Sequence, residues 1–213
     1  MTKVWFNGAA YESDAVLDTE RWEVLLTEVD ACVSQRGEIV TAVRFDGIDE
    51  PAFRHPELAA RPITAHTTIE IESGAPGAFL EDCLADVRDA VPTLAIAVRA
   101  VASRYRAFDL DVANKDVAEV ADGLGTMIAL VATSGVAAGV ALDELVVGDG
   151  TIGELIADLH RSVETIVAAQ RAQDWVTLAD VLEHDVAPIL DRWPMAFAVL
   201  SAALRTTGLR KTA

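Results

Sequence analysis

Two histidines and one aspartate in the C-terminal half have side chains that could bind a metal ion. His160 and His184 lie at similar sequence distances from a predicted turn near Gln173, so an antiparallel helix pair would bring them to a similar level. Asp185 lies at the edge of the predicted core face. A zinc, iron or manganese site needs at least three protein ligands, and no third partner stands at an obvious position. We therefore predict no bound metal and keep His160, His184 and Asp185 only as candidates.

The segment DVLEHD, residues 180–185, places three acids beside His184, as carboxylate di-metal sites in helical bundles do. At about 100° per residue, Asp180 and His184 point away from Leu182, which marks the core face. Only Asp185 reaches the edge of that face. The chain also lacks the Glu-x-x-His motif of such sites, so the segment predicts a solvated helix face.

The segment GDGTIGEL, residues 148–155, looks like the end of a calcium-binding loop. If Gly150 were the invariant turn glycine, the required oxygen ligands would fall on Leu145, Val147 and Ile156. These three side chains are apolar and cannot coordinate calcium. The segment therefore predicts a turn followed by a helix cap.

No serine or cysteine stands in a pattern that activates a nucleophile. Ser134 lies within a predicted helix and lacks the Gly-x-Ser-x-Gly elbow. Cys32 and Cys83 have acidic neighbours, which raise a thiol pKa, and no adjacent histidine. The glycines of GLGTMIA, residues 123–129, follow a helical segment and so form neither a dinucleotide fingerprint nor a phosphate loop. We expect no catalytic residue and no cofactor.

The charge balance disfavours anionic partners. The chain has 213 residues, with 34 acidic and 17 basic side chains and a formal net charge of −17. Such a surface repels phosphate backbones and anionic lipids, so we expect no nucleic-acid or membrane partner. A GC-rich genome and adaptation to high salt both explain the acidity. Two distant cysteines in apolar patterns and the absence of a secretory signal indicate a soluble, cytoplasmic protein.

One uncharged run, residues 124–142, is long enough to cross a membrane. It is rich in Ala, Gly, Ser and Thr, however, and its flanks are acidic, with Asp122 on one side and Asp143 and Glu144 on the other. This arrangement lacks the positive charge that orients membrane helices. The run therefore predicts a helix that is buried in the middle of a bundle.

The first 73 residues predict a small α+β domain. Asn7-Gly8 and Asp46-Gly47 are two-residue hairpin signals. The elements predicted in order are a hairpin over 4–11, a helix over 19–35, a strand that turns at 46–47, and a strand over 67–73. The alternation further predicts that Ile39, Thr41, Val43 and Phe45 lie on one side of their strand and that Ile69 and Ile71 face inward. In element order and size this domain resembles the β-grasp, or ubiquitin-like, fold.

The rest of the chain predicts an all-α up-down bundle of four or five helices. Gly and Pro in SGAPG mark a break, and the apolar period changes there from two to about 3.6 residues. The predicted domains are 1–73, a linker at 74–77, a bundle over 78–205 and a frayed tail at 206–213. The predicted helices run over about 78–108, 115–147, 151–171 and 174–204. The third begins with a Thr151–Glu154 capping box, and the fourth has Asp174 as its N-cap. Pro188 and Pro194 are predicted to interrupt the fourth helix.

Residues 174–193, DWVTLADVLEHDVAPILDRW, resemble a segment of uncharacterised bacterial proteins of unknown function. The resemblance covers about a tenth of the chain and implies no activity. Trp175 and Trp193 bracket this helix on its apolar face and are candidates for an interface.

Two functional readings follow from the sequence. The favoured one is a non-enzymatic binding or regulatory protein, which forms a homodimer through its helical domain or binds an unknown protein partner. The alternative is a small-ligand-binding protein or enzyme, with its site between bundle helices or between the domains, because such sites are mostly apolar and need few polar anchors.

Overall fold

The structure is a computed structural model that describes residues 2–11 and 21–211. The chain divides into two compact units, Met1–Phe79 and Leu80–Ala213. The predicted combination of a small α+β domain and a helical bundle is confirmed. The predicted start of the first helix at residue 19 lies outside the described residues.

The N-terminal unit contains a five-stranded sheet in the order β2-β1-β5-β3-β4. Its strands are β1 (Lys3–Phe6), β2 (Ala9–Ala10), β3 (Ile39–Phe45), β4 (Ile48–Asp49) and β5 (Thr68–Gly74). Helix α1 (Trp22–Ser34) precedes β3, and a short helix α2 (Pro56–Ala59) and a 3-10 turn (Ile63–Ala65) precede β5. β1 and β5 are parallel, while the β1–β2, β3–β4 and β3–β5 pairs are antiparallel. The central strand β5 thus lies between two hairpins, parallel to β1 of the first and antiparallel to β3 of the second, which is the predicted β-grasp-like arrangement.

Both predicted hairpin turns are confirmed. Asn7 and Gly8 have φ angles of 48° and 77°, and Asp46 and Gly47 have φ angles of 53° and 80°. Positive φ at both central residues is the type I′ geometry, whose twist matches that of the flanking strands. Asn, Asp and Gly tolerate this backbone region better than other residues do.

The predicted alternation of β3 is wrong in its first half. Val40 is buried, whereas Ile39 and Thr41 are half-buried. The pairing of β3 with β5 shifts register between Val40 and Ala42. A bulge of this kind adds one residue and reverses which side chains face the core. From Val43 onward the predicted alternation is confirmed.

Helix α1 packs on one face of the sheet and supplies much of the core. Its buried side chains are Trp22, Leu25, Leu26, Val29 and Val33. The Trp22 indole N–H donates to the Phe53 carbonyl oxygen at 2.7 Å, so the polar atom of this buried ring is satisfied. In strand β5, Ile69 and Ile71 are buried as predicted.

The second unit is a helical bundle with one short hairpin. Its elements are α3 (Pro76–Arg106), α4 (Leu110–Ala138), a 3-10 turn (Leu142–Glu144), β6 (Val146–Val147), β7 (Gly150–Thr151), α5 (Ile152–Ala172), α6 (Trp175–Val181), a π-helical segment (Leu182–Val186) and α7 (Ala187–Lys211). The predicted bundle is confirmed, but several predicted boundaries are wrong, among them the start of α4, which lies at Leu110 rather than near Lys115.

Helix α4 ends at Ala138 rather than near Val147. Gly139 adopts the left-handed conformation with a φ of 64°, and the Val140 N–H donates to the Gly135 carbonyl. A left-handed cap of this kind provides N–H donors for backbone carbonyls that the end of a helix would otherwise leave unpaired. The chain beyond it forms the β6–β7 hairpin, which the sequence analysis missed.

The segment 74–77 is not a loop, and the helix continues into the predicted tail. Gly74 ends β5 and Pro76 begins α3, because proline is well suited to the first helical turn. At the other end, the Thr207 hydroxyl donates to the Ala138 carbonyl at 2.8 Å. This contact fastens the end of α7 to the end of α4, and α7 runs to Lys211.

Both predicted helix caps are confirmed. The Thr151 hydroxyl accepts from the Glu154 N–H at 3.1 Å, and the Glu154 carboxylate accepts from the Thr151 N–H at 2.8 Å. Asp174 accepts from the Thr177 backbone N–H at 3.0 Å. That backbone hydrogen bond is the main reason why the pKa of Asp174 lies below its usual value.

Only one face of α4 is buried, although the uncharged run predicts burial all round. Val120, Met127 and Val131 face the core. Ala129 and Val136, on the opposite face, are exposed. Among the described residues, α4 is the one helix that is long and apolar enough to span a membrane, and 33% of its most apolar window is buried.

We expect Val131→Asp to unfold the helical unit. Val131 is 0% exposed, and an unpaired buried carboxylate costs several kcal/mol. Ala121→Asp on the exposed side of the same helix is the matched control and should change stability by less than about 1 kcal/mol. Urea denaturation followed by circular dichroism measures both. Equal midpoints for the two variants would contradict the burial of Val131.

We expect Asp46→Asn to destabilise the N-terminal unit at neutral pH. Asp46 accepts from the Thr67 hydroxyl and from the backbone N–H groups of Thr67 and Thr68. These hydrogen bonds, led by that of the hydroxyl, hold the pKa of Asp46 well below its usual value of 3.8. Asn tolerates the positive φ at this position, so the substitution tests the charge rather than the turn.

The sign of the pH dependence follows from the lowered pKa. The stabilisation is complete above the unfolded-state pKa and is lost as the pH falls through the lower folded-state pKa. Calorimetry should therefore show a lower melting temperature for Asp46→Asn at pH 7, with the difference from the wild type shrinking towards about pH 2. A difference that is absent at pH 7, or constant across this range, would contradict the account.

Candidate functional site

The three candidate metal ligands do not converge. His184 and Asp185 line one groove on the helical unit, whereas His160 is an exposed residue of α5 outside that groove. In the parts of the chain that the structure describes, no group of three or more His, Cys, Asp or Glu side chains could hold a metal ion.

The groove is formed by one polar face of α5 and one face of the π-helical segment and α7. It is an open groove with a volume of about 440 Å³. Its lining residues are Asp158, Arg161, Ser162 and Thr165 on one side and His184, Asp185, Pro188, Ile189 and Arg192 on the other. Ser162 and Ile189 are 7% and 9% exposed, so they form its floor. We refer to this site as the α5–π groove.

A signal in the sequence could have located the α5–π groove. Four α5 lining residues follow the spacing i, i+3, i+4, i+7 over 158–165, and four residues over 185–192 follow the same spacing. This spacing places each set on one face of its helix. His184 and Asp185 were among the predicted candidates, whereas Arg161 and Arg192 were not, because neither arginine stands in a metal-ligand or catalytic motif.

A π-helical turn shapes one wall of the groove. The Ala187 N–H donates to the Leu182 carbonyl, five residues earlier. Pro188 follows and has no N–H, so a regular α-helix would leave the His184 carbonyl without its usual donor. The interruption predicted at Pro188 therefore takes the form of a wider turn, while α7 continues through Pro194.

The acids of the DVLEHD segment divide between two sides of the helix. The Arg106 guanidinium of α3 contacts the carboxylates of Asp180, at 2.8 Å, and Glu183. The hydrogen bond from Arg106 is the main cause of the lowered pKa of Glu183. Asp185 is exposed in the α5–π groove.

The two tryptophans that were candidates for an interface lie in different environments. Trp193 is 0% exposed and its ring lies 5.5 Å from that of Phe197, so it belongs to the core and cannot contact a partner. Trp175 is half-buried and stacks on Tyr105, with ring centroids 5.6 Å apart and an interplanar angle of 10°. The interface prediction for Trp193 is therefore wrong, because its position on the apolar face directs it inward.

Helix α4 presents an exposed face without any charged side chain. This face, which we call the small-residue face, consists of Gly125, Thr126, Ala129, Ala132, Thr133 and Val136. All six residues are exposed, and Val136 is 83% exposed. At about 100° per residue they lie opposite the buried side chains of the same helix.

A family model described as a domain of unknown function, DUF8042, matches residues 82–195. The match covers more than half of the 213 residues. The chain belongs to this family. The predicted resemblance of residues 174–193 to proteins of unknown function is confirmed, since that segment lies within the match.

The DUF8042 match begins in α3 and ends in α7, so it includes α4 and the α5–π groove and excludes the β-grasp-like unit. No protein of curated function and no solved structure gives a significant match to the chain.

We expect Trp193→Ala to cost more stability than Trp175→Ala. Removing a fully buried tryptophan costs about 3–5 kcal/mol, whereas Trp175 keeps part of its surface in water and should cost less. Urea unfolding of the two variants, each compared with the wild type, measures the difference. A larger loss for Trp175→Ala would contradict the assignment of Trp193 to the core.

Proposed function

We propose that this protein acts by protein–protein association and that two copies pair through the small-residue face of α4. The observation that carries the proposal is an exposed, uncharged helix face on a chain whose formal net charge is −17. The occupant is a second copy of the chain, and the three following arguments support that assignment.

Electrostatics limits where two copies can meet. Like-charged surfaces repel each other within a Debye length of about 8–10 Å at physiological ionic strength. The run from residue 124 to residue 142 contains no charged side chain, so two copies that cross at its middle place no like charges directly opposite each other. A basic partner would gain nothing from this face.

The side chains of the face are suited to close helix packing. Gly125, Ala129 and Ala132 are small, and their spacing of i, i+4 and i+7 places them in one stripe along α4. Small side chains allow two backbones to approach closely, and the two α4 helices would cross there.

A twofold dimer also needs only one interface patch on each chain. In an isologous interface the same patch faces itself, so one stripe can supply both halves of the contact. The pairing would cover Val136, which is the most exposed large apolar side chain among the described residues. Burial of exposed apolar surface is the main favourable term in protein association.

Sedimentation equilibrium of the full chain at low and high salt tests the proposal. We expect a monomer–dimer equilibrium that tightens as salt rises, because salt screens the repulsion between two acidic chains while the apolar contact remains. Ala129→Glu should weaken dimerisation by at least about 10-fold, because it sets two like charges opposite each other. Ala168→Glu, at an exposed position of α5, is the matched control and should leave the equilibrium unchanged.

Three outcomes would overturn the proposal. A monomer at high micromolar concentration in both buffers would reject the dimer. Equal effects of Ala129→Glu and Ala168→Glu would place the interface elsewhere. Flotation of the wild-type chain with phosphatidylcholine vesicles, lost in Ala129→Glu, would assign the face to a lipid surface instead.

A further inference from the structure

We infer that the α5–π groove binds a small zwitterion of the amino-acid class, a molecule that carries both a carboxylate and an ammonium group. The inference is independent of the small-residue face. It rests on the two signs of charge in the groove, on their present partners and on the apolar part of its lining.

Two guanidinium groups provide the positive side of the groove. Arg161 pairs with Asp158 at 3.0 Å within α5, and Arg192 pairs with Asp149 at 3.2 Å. Asp149 has a side chain that is 96% exposed, and ion pairs of this kind contribute about 0–1 kcal/mol. A ligand carboxylate can therefore displace these partners at little cost and accept two hydrogen bonds from one guanidinium fork.

Asp185 provides the negative side. Among the described residues it has no ion-pair or hydrogen-bond partner, whereas its neighbours Asp180 and Glu183 both bind Arg106. A ligand ammonium group would give Asp185 the partner that no described side chain supplies. His184 stands beside it and adds a ring nitrogen that can donate or accept a hydrogen bond.

A π-helical turn lies in one wall of the groove. Here His184 and Asp185 both line the groove, within the π-helical segment Leu182–Val186. Single π turns are often found at functional sites.

The balance of charges selects the ligand class. The groove contains two arginines and two aspartates, so a simple anion would meet Asp158 and Asp185, and a simple cation would meet Arg161 and Arg192. A zwitterion satisfies both signs at once. Pro188 and Ile189 supply an apolar surface for a side chain, and a volume of about 440 Å³ lies within the usual range of small-ligand sites, about 300–1,000 Å³.

Three probes separate these chemistries in isothermal titration calorimetry or saturation-transfer NMR on the full chain. L-leucine carries both charges, N-acetyl-L-leucine carries only the carboxylate, and L-leucinamide carries only the ammonium. We expect L-leucine to bind with a Kd below about 1 mM and the other two to bind at least about 10-fold more weakly. Asp185→Asn and Arg192→Ala should each weaken L-leucine binding by about 10-fold or more.

Arg205→Ala is the matched control, because Arg205 is a similarly exposed α7 arginine that pairs with Glu81 outside the groove. It should leave L-leucine binding unchanged, and equal melting temperatures of the variants would show that all remain folded. Undetectable binding of L-leucine at about 10 mM would overturn the inference. Equal binding of N-acetyl-L-leucine, or an Asp185→Asn variant that binds as well as the wild type, would also overturn it.

Discussion

Helix α7 lies against both α4 and α5. The packing of the helical unit depends on the apolar contacts that α7 makes around Trp193. Trp193, Leu190 and Leu200 are 0% exposed, and Phe197 is 1% exposed. The ion pairs of α7 lie at the surface, such as that between Asp191 and Arg99, whose side chains are 55% and 42% exposed. Exposed pairs of this kind add little stability, so apolar burial holds α7 in place.

The packing of α7 on α4 determines which part of α4 remains uncovered. Because α7 and its neighbours cover the face that contains Val131, the small-residue face on the opposite side is left in contact with water. The same helix α7 supplies Arg192 to the α5–π groove, together with Pro188 and Ile189. The two proposed sites are therefore separate surfaces of one bundle, and each can fail experimentally without affecting the other.

Local signals in the sequence predicted the parts of the fold that depend on a few neighbouring residues. The Asn7-Gly8 and Asp46-Gly47 turns have the expected backbone geometry, and the Thr151–Glu154 capping box has both of its hydrogen bonds. Each of these features is determined by residues at most three apart. Interactions between distant segments have little influence on them.

Features that depend on tertiary packing were not predictable in the same way. The β3 bulge follows from pairing with β5, and the exposure of one face of α4 follows from which neighbours reach it. Trp193 lies on the apolar face of its helix, a position that is compatible with either a core or an interface. Only the packed bundle distinguishes the two. The α5–π groove joins residues that are 19 to 34 positions apart in the sequence, so its separate polar faces looked like ordinary solvated surface.

Disulfide trapping tests whether the small-residue face contacts the same face of a second copy. In a chain with Cys32 and Cys83 replaced by serine, Ala129→Cys places one thiol in the middle of that face, and Ala168→Cys places one at an exposed position of α5. Two cysteines can be joined only when their Cα atoms lie within about 7 Å. We expect rapid conversion of Ala129→Cys, but not of Ala168→Cys, to a disulfide-linked dimer under mild oxidation at low micromolar concentration. Equal and slow oxidation of both variants would contradict it.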